Sequence, residues 1–107
     1  MLLKQSLSRC SAFIVAGFLL LSTGPVSAQN LENGEQLFQT LCARCHGMLG
    51  EGSEGPSLTR PNLVHAPDDA ALVSLIVGGI AGTGMPGSRQ LRGQDGPDVA
   101  AYVRSLG

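Results

Sequence analysis

The stretch Cys42-Ala43-Arg44-Cys45-His46 has the pattern C-x-x-C-H and lies near the middle of a chain of 107 residues. Two thiols at this spacing can add across the two vinyl groups of one haem and attach it covalently. The histidine that follows directly is then in position to bind the iron as its proximal axial ligand. We therefore predict one haem c, attached through Cys42 and Cys45, with His46 as an iron ligand.

Two other chemistries also use paired cysteines. A closed zinc site needs four ligands. His46 directly follows Cys45, which is not the spacing of a zinc finger, and the only other histidine is His65. A thioredoxin-type redox pair is expected within a βαβ pattern, which this sequence does not contain. Haem attachment therefore explains the motif better than zinc binding or thiol exchange does.

The first 28 residues are typical of a secretory signal peptide. Lys4 and Arg9 precede the apolar run 11–21, and Pro25-Val26-Ser27-Ala28 supplies the small residues that a signal peptidase recognises. We predict cleavage between Ala28 and Gln29, which makes residues 29–107 the domain that carries the haem and the periplasm its location. The alternative is a retained membrane anchor, although the apolar run is short for a membrane span.

The composition of residues 29–107 narrows the possible functions further. Five arginines, eight acidic residues and no lysine leave a formal charge of −3 before any cofactor, so a basic nucleic-acid surface is excluded. The only aromatic residues in this part are Phe38 and Tyr102. So short a chain usually needs an additional means of stabilisation, and a buried haem would complete the apolar core.

The hydrophobic pattern predicts about three main helices and no strands. The first spans Asn30–Cys42, with Asn30 as its N-cap. The second begins near Asp68 or Asp69 and ends at Gly78-Gly79; because it is apolar nearly all round, we expect it to be well buried. The last begins at Asp95 and carries an apolar stripe of Val99, Tyr102, Val103 and Leu106.

Three residues are candidates for the second axial ligand of the iron. Met48 follows His46 too closely to reach the opposite face of a haem. Met85 lies in a glycine-rich segment, 39 residues after His46, and Pro86 stiffens the chain beside it. His65 is the other possibility, or it is an ordinary loop histidine. We predict that Met85 is the ligand.

In these motifs the chain resembles the small, single-haem class I c-type cytochromes of bacteria. The matching residues are Gly34-x-x-x-Phe38, Cys42-x-x-Cys45-His46-Gly47, Gly55-Pro56-x-Leu58, Gly82-x-Gly84-Met85-Pro86 and Tyr102.

The resemblance implies an all-α class I cytochrome c fold, with the helices wrapped around the haem. It implies that Gly34 and Phe38 pack against the last helix near Tyr102. It also implies that the Pro56 carbonyl accepts a hydrogen bond from the ring of His46, and that Arg60 meets a haem propionate, unless Arg60 is simply an exposed loop residue.

From this resemblance we expect an electron carrier and not an enzyme. Its partners would be a donor dehydrogenase or cytochrome and an acceptor oxidase or cytochrome, with no nucleic acid and no membrane span after cleavage. The protein would be a monomer or a complex subunit. One alternative is a dedicated haem subunit of a periplasmic dehydrogenase or terminal oxidase. Another is a haem sensor or peroxidase with an open sixth coordination position.

Overall fold

The computed structural model describes Gly17 and residues 28–107, so nearly all of the predicted signal peptide lies outside the described residues. Within the described part, four helices follow one another along the chain: α1 (Leu31–Leu41), α2 (Ala43–His46), α3 (Asp69–Gly78) and α4 (Asp95–Ser105). That part has no β-strand, only an isolated bridge between Leu63 and Ala66. The prediction of an all-α fold is confirmed.

Helices α1 and α4 form the main helix pair of the molecule. Gly34 permits their close approach, because a Cβ at this position would overlap the backbone carbonyl of Asp98 and lie 3.0 Å from Cβ of Tyr102. One turn later, Phe38 is fully buried, and the centroid of its ring lies 5.3 Å from that of Tyr102 at a 55° tilt. The predicted contact of Gly34 and Phe38 with the last helix is therefore confirmed.

A buried carboxylate joins the start of α1 to α4. Asp98 is only 2% exposed, and its two oxygens accept hydrogen bonds from the Asn30 backbone N–H (2.8 Å) and the Asn33 side-chain amide (2.9 Å). Asn30 also caps α1, since its side chain accepts from the Asn33 backbone N–H at 3.1 Å. The carboxylate thus holds the first turn of α1 against α4 without leaving an unsatisfied buried charge.

Helix α3 packs on the other side of α4. Asp68 caps its N-terminus by accepting a hydrogen bond from the Ala71 backbone N–H at 2.7 Å, as the sequence predicts. A Cβ at Gly96 would lie 3.2 Å from the Val73 side chain, so this glycine lets α3 approach α4 closely. At the far end of α4, Arg104 donates to Asp69 at 3.0 Å and to the Ala66 carbonyl at 2.8 Å.

The helices differ from the prediction in three respects. The short helix α2 was not predicted, because four residues are too few to show a hydrophobic period. In α3 the protein buries Leu72 and Ile76, while Val73, Leu75 and Val77 are only partly buried, so the chain itself covers less of this helix than expected. Leu106 lies just beyond α4, as its C-cap, and is half-buried.

In the described residues no helix combines the length and the apolar character that crossing a membrane requires.

Candidate functional site

The C-x-x-C-H motif forms a tight helical turn at the end of α1. The backbone N–H groups of Cys45 and His46 both donate to the Cys42 carbonyl, at 3.1 and 3.0 Å. Gly47 ends α2 with a φ of +85°, a left-handed conformation that favours glycine. Cys42 and Cys45 are free thiols and half-buried, whereas His46 is 7% exposed. The turn therefore holds the two predicted attachment thiols next to a buried imidazole.

A backbone carbonyl fixes the orientation of the His46 ring. Its Nδ1 lies 2.8 Å from the carbonyl oxygen of Pro56. Because a carbonyl can only accept a hydrogen bond, Nδ1 carries a hydrogen, and in the neutral ring the free lone pair is then on Nε2. An imidazole in this tautomer is suited to bind a metal through Nε2.

Gly55 confines the same ring from the side. A Cβ on Gly55 would lie 2.9 Å from His46 Cε1 and 3.0 Å from Nδ1, and the Gly55 backbone N–H donates to the Cys45 carbonyl at 2.7 Å. Sequence analysis assigned this glycine to a family motif but did not identify its contact with the imidazole. The sequence did offer one signal for this contact, because Gly55 directly precedes Pro56, whose carbonyl is expected to bond the His46 ring.

Burial of the C-x-x-C-H turn affects the thiol of Cys42. Desolvation, with a smaller contribution from the neighbouring Cys45, raises the pKa of Cys42 to about 11. Before any attachment reaction, this thiol is therefore held in its neutral, protonated form at physiological pH.

Met85 lies in a loop that folds back onto the end of α3. The Met85 carbonyl accepts a hydrogen bond from the Ile80 backbone N–H at 3.2 Å. The Thr83 hydroxyl donates to the Ile80 carbonyl at 2.7 Å and accepts from the Met85 backbone N–H at 3.2 Å. Met85 itself is half-buried. Hydrogen bonds thus hold the backbone of Met85 at both its N–H and its carbonyl. The contribution of the Thr83 hydroxyl was not predicted from the sequence.

Two glycines permit this fold-back. Gly79, with a φ of +75°, ends α3, and a Cβ on it would lie 2.6 Å from the backbone nitrogen of Gly87. The Ser88 backbone N–H then donates to the Ile76 carbonyl of α3 at 2.9 Å. The loop from Gly79 to Ser88 is therefore tied to the helix at both of its ends.

The other candidate residues occupy exposed positions. Met48 is 55% exposed at the turn after α2, and His65 is exposed in the loop before α3. Arg60 is also exposed, so its predicted contact with a propionate stays a prediction. The structure brings Cys42, Cys45, His46 and Pro56 together, whereas Met85 lies in a separate loop.

The donor set fits a haem better than it fits a bare metal ion. In the described residues no group of three or more histidine, cysteine or acidic side chains is placed to hold a metal ion. One fixed imidazole and a thioether suffice for an iron that a porphyrin already holds, and two thiols suffice to attach it. Several apolar side chains pack on the core yet remain only partly buried, which leaves apolar surface suited to such a group: Leu37, Leu41, Leu58, Leu63, Val73, Leu75, Val77 and Leu106.

Comparison with known proteins identifies the family. Residues 29–103 match the model of the family described as cytochrome c oxidase, cbb3-type, subunit III. Cytochrome c-L of Methylorubrum extorquens is 36% identical over 78 residues, which are 71% of this chain and 40% of that protein. Cytochrome c55X of Stutzerimonas stutzeri is also 36% identical, over 86% of this chain and 81% of its own length.

A solved structure shows the same fold. The crystal structure of cytochrome cL from Methylophaga aminisulfidivorans superposes with a TM-score of 0.61 at 33% sequence identity, covering 70% of this chain and 51% of that one. This chain thus spans about half or less of the cytochrome c-L proteins that it matches, but most of cytochrome c55X. The chain belongs to the cytochrome c family, and it binds haem c covalently.

Proposed function

We propose that this protein is a periplasmic one-electron carrier in which His46 and Met85 are the two axial ligands of the haem iron. The observation that carries the proposal is the hydrogen bond between His46 Nδ1 and the Pro56 carbonyl, because it leaves Nε2 available for iron. The hydrogen bonds of the Met85 backbone to Thr83 and Ile80 support the second ligand, since they hold its loop in a single arrangement.

The proposed ligands account for electron transfer without substrate binding at the metal. When bound, haem supplies an iron that gains or loses one electron. His46, kept in one tautomer, would hold the iron through Nε2, and Met85 would hold it through its neutral sulfur. A thioether stabilises the ferrous state and raises the reduction potential. With both positions filled by the protein, neither oxygen nor a substrate has a free coordination site.

The test is replacement of Met85 by alanine. We expect the reduction potential of the purified holoprotein to fall by on the order of 0.1 V, because a sulfur ligand is lost. The ferrous form should also bind carbon monoxide readily. Met48→Ala is the matched control, since this methionine is 55% exposed at a turn. An unchanged potential in Met85→Ala would contradict the ligand assignment, and ready binding of carbon monoxide by the unaltered protein would favour an open-site sensor or peroxidase.

A second candidate function is that of a haem subunit in a larger oxidoreductase. The observation that favours it is the family match, since that family is described by an oxidase subunit. The two functions differ in assembly: a subunit co-purifies with its complex in a stable stoichiometry, whereas a free carrier elutes alone. Size-exclusion chromatography of the affinity-tagged holoprotein from its native membrane extract distinguishes them.

We also propose that residues 1–28 direct export to the periplasm and are removed there. The apolar run and the small residues before Gln29 support this proposal. The intact mass of the purified holoprotein is the direct measurement, because it distinguishes a chain that begins at Gln29 from one that keeps its N-terminal segment.

A further inference from the structure

The turn directly after His46 exposes two neighbouring apolar side chains. Among the described residues, the large apolar side chains that are strongly exposed are Leu31, Met48, Leu49 and Val64, and only Met48 and Leu49 are adjacent. The Gly50 backbone N–H donates to the Gly47 carbonyl at 3.0 Å, so Met48 and Leu49 form the tip of a tight turn. We call residues 47–50 the Met48 turn.

The exposed side chains of Met48 and Leu49 make no contribution to the packing of the core. Met48 and Leu49 are 55% and 70% exposed, and neither belongs to the apolar core or to the side chains packed against it. The glycines on either side hold the turn through backbone conformation, with φ values of +85° and +70°. An adjacent pair of exposed apolar side chains is typical of a protein–protein contact when polar groups border it.

Carboxylates border the Met48 turn. The Leu49 backbone N–H donates to Oε2 of Glu51 at 2.8 Å, and a Cβ on Gly47 would overlap the same carboxylate. Glu51 is therefore held beside the tip, and Glu54 is exposed three residues later. The segment 47–59 contains no basic residue. The nearest arginines along the chain are the exposed Arg44 of α2 before it and the exposed Arg60 directly after it.

We infer that the Met48 turn, with Glu51 and Glu54, is the docking surface for a redox partner protein whose contact face is apolar at its centre and basic around it. This inference rests on the proposed function, since it places the partner next to the residue that we propose as an iron ligand. Opposite charges steer the encounter and the apolar pair supplies contact area at its centre, a combination suited to a short-lived complex. The chain has no lysine after residue 28 and a surplus of acids, which fits a basic partner.

The test uses small redox probes of defined charge. In stopped-flow mixing, one electron passes from the reduced holoprotein to tris-phenanthroline cobalt(III), a trivalent apolar cation that becomes cobalt(II). In the double variant Glu51→Gln/Glu54→Gln, we expect this second-order rate constant to fall by about threefold or more at about 10 mM ionic strength. With hexacyanoferrate(III), a trivalent anion, the rate constant should rise. Both changes should shrink as salt is added, because salt screens the charges.

A second acidic and apolar patch provides the matched control. Glu32→Gln/Glu35→Gln makes the same change in net charge on exposed residues of α1, next to the exposed Leu31. Glu32 precedes Cys42 by ten residues, or about 15 Å of helix, so its charge should influence the probe less. A decrease of equal size in both double variants would overturn the docking surface, because it would reflect net charge alone.

A redox-inert probe locates the contact independently of electron transfer. Tris-phenanthroline chromium(III) has the same charge and is paramagnetic, so it broadens the NMR signals of residues that it approaches. We expect the side-chain methyl signals of Met48 and Leu49 to broaden before those of Leu31. Broadening that begins at Leu31 would overturn the inference.

Failure of the docking surface and failure of the proposed function give different results. If the holoprotein has a reversible one-electron couple that depends on Met85, but the probes do not distinguish the two acidic patches, only the docking surface is wrong. If no such couple exists, the proposed function is wrong. The potential of each variant is measured alongside its rate, so that a change in driving force is not mistaken for a change in docking.

Discussion

At the residue scale, the hydrogen bond that orients the His46 ring comes from the backbone of a loop. The Pro56 carbonyl accepts from Nδ1 at 2.8 Å, while Gly55 approaches the ring so closely that a Cβ would lie 2.9 Å from Cε1. The Pro56 carbonyl fixes the tautomer of the ring, and the absence of a side chain at Gly55 leaves room for the ring. Both contacts depend on the position of residues 55–56. A second hydrogen bond, from the Gly55 backbone N–H to the Cys45 carbonyl, fixes that position.

Replacing Gly55 by alanine should therefore disturb the imidazole. The backbone at Gly55 is not in the left-handed region, so the effect is steric: the ring or the loop must move by a few tenths of an ångström. We expect a loss of about 1–3 kcal/mol in the unfolding free energy of the holoprotein, as for overpacking in a core, together with a shifted reduction potential. Chemical denaturation and a spectroscopic redox titration measure the two effects.

Ser53→Ala is the control for this substitution. Ser53 is exposed, and it lies two residues away in the same loop. We expect both its potential and its stability to match those of the unaltered protein. If Gly55→Ala behaves in the same way, the ring has more room than the structure gives it, and the positioning role of Gly55 is wrong.

At the element scale, the contact between α1 and α4 depends on the absence of a side chain at Gly34. A Cβ there would overlap the Asp98 carbonyl, and backbone cannot move aside as a flexible side chain can. We expect Gly34→Ala to lower the unfolding free energy by about 1–3 kcal/mol, even though alanine favours a helix over glycine by about 1 kcal/mol. Urea denaturation of the holoprotein measures this loss.

Gly78→Ala is the matched helical control. Gly78 is the last residue of α3, and a Cβ there would meet nothing within 4 Å. Because alanine has a higher helix propensity than glycine, we expect Gly78→Ala to leave the unfolding free energy unchanged or to raise it slightly. Equal stability of the two variants would show that α1 and α4 can separate at little cost.

The same pair of helices carries a pH-dependent contribution to stability. The Arg92 backbone N–H, and then the Asn33 side-chain amide, hold the pKa of Asp95 below its ordinary value of 3.8. Near that pH the folded state binds fewer protons at Asp95 than the unfolded state does. The stabilisation is thus fully present above pH 3.8 and is lost as the pH falls through the lower, folded-state pKa.

We accordingly expect Asp95→Asn to make the unfolding free energy depend less steeply on pH below 3.8. Asn33→Ala, which removes one of the two donors, should move the pKa of Asp95 back toward the ordinary value. NMR titration of the side-chain carboxyl carbon measures this directly. A pKa of Asp95 at or above 3.8 in the unaltered protein would contradict the structure.

The elements also differ in how well the sequence predicts them. The start of α1 at Leu31 and that of α3 at Asp69 were predictable, because Asn30 and Asp68 are local caps whose side chains bond within three residues. The burial of α3 was not predictable, since a helix that is apolar all round has no periodicity to show which face is covered. The contacts of Asp98 with Asn30 and Asn33 span more than sixty residues, so no local pattern contains them.

The residues of the candidate site also differ in how well the sequence predicts them. The thiols that we predict to attach the haem, and His46, follow from one short motif. The hydrogen bond of the Thr83 hydroxyl and the closeness of Gly55 to the imidazole follow only from how the loops fold. Thr83 lies two residues before Met85, a spacing at which a hydroxyl often bonds the backbone of its own turn. That pattern is frequent in loops, so the sequence alone did not single it out.

At the scale of the whole molecule, the protein's own apolar core is small. Among the residues that the structure describes, ten hydrophobic residues are buried, and Phe38 and Tyr102 are the aromatic ones among them. The 79 residues that the proposed cleavage leaves (29–107) are few enough to need an additional means of stabilisation. A haem attached through Cys42 and Cys45, as we propose, would provide it in two ways: it would cover apolar surface in the folded state, and it would restrain the chain between the two cysteines in the unfolded state.

We therefore expect Cys42→Ser and Cys45→Ser each to lower the yield of folded holoprotein and to make haem extractable with acidified organic solvent. Each variant keeps His46 and one thioether, so haem should still bind, but less stably. Cys10→Ser is the control, because Cys10 lies in the segment that we predict to be removed on export. Absorbance of the extracted haem and circular dichroism of the remaining protein are the measurements.

The chain without haem should lose most of its helical signal and its cooperative unfolding, since the ten buried hydrophobic residues of the described part would then have to hold the helices together. An apoprotein that stays fully helical and unfolds in one cooperative transition would show that helices α1, α3 and α4 are stable alone, and that the C-x-x-C-H turn is a redox site without a part in folding.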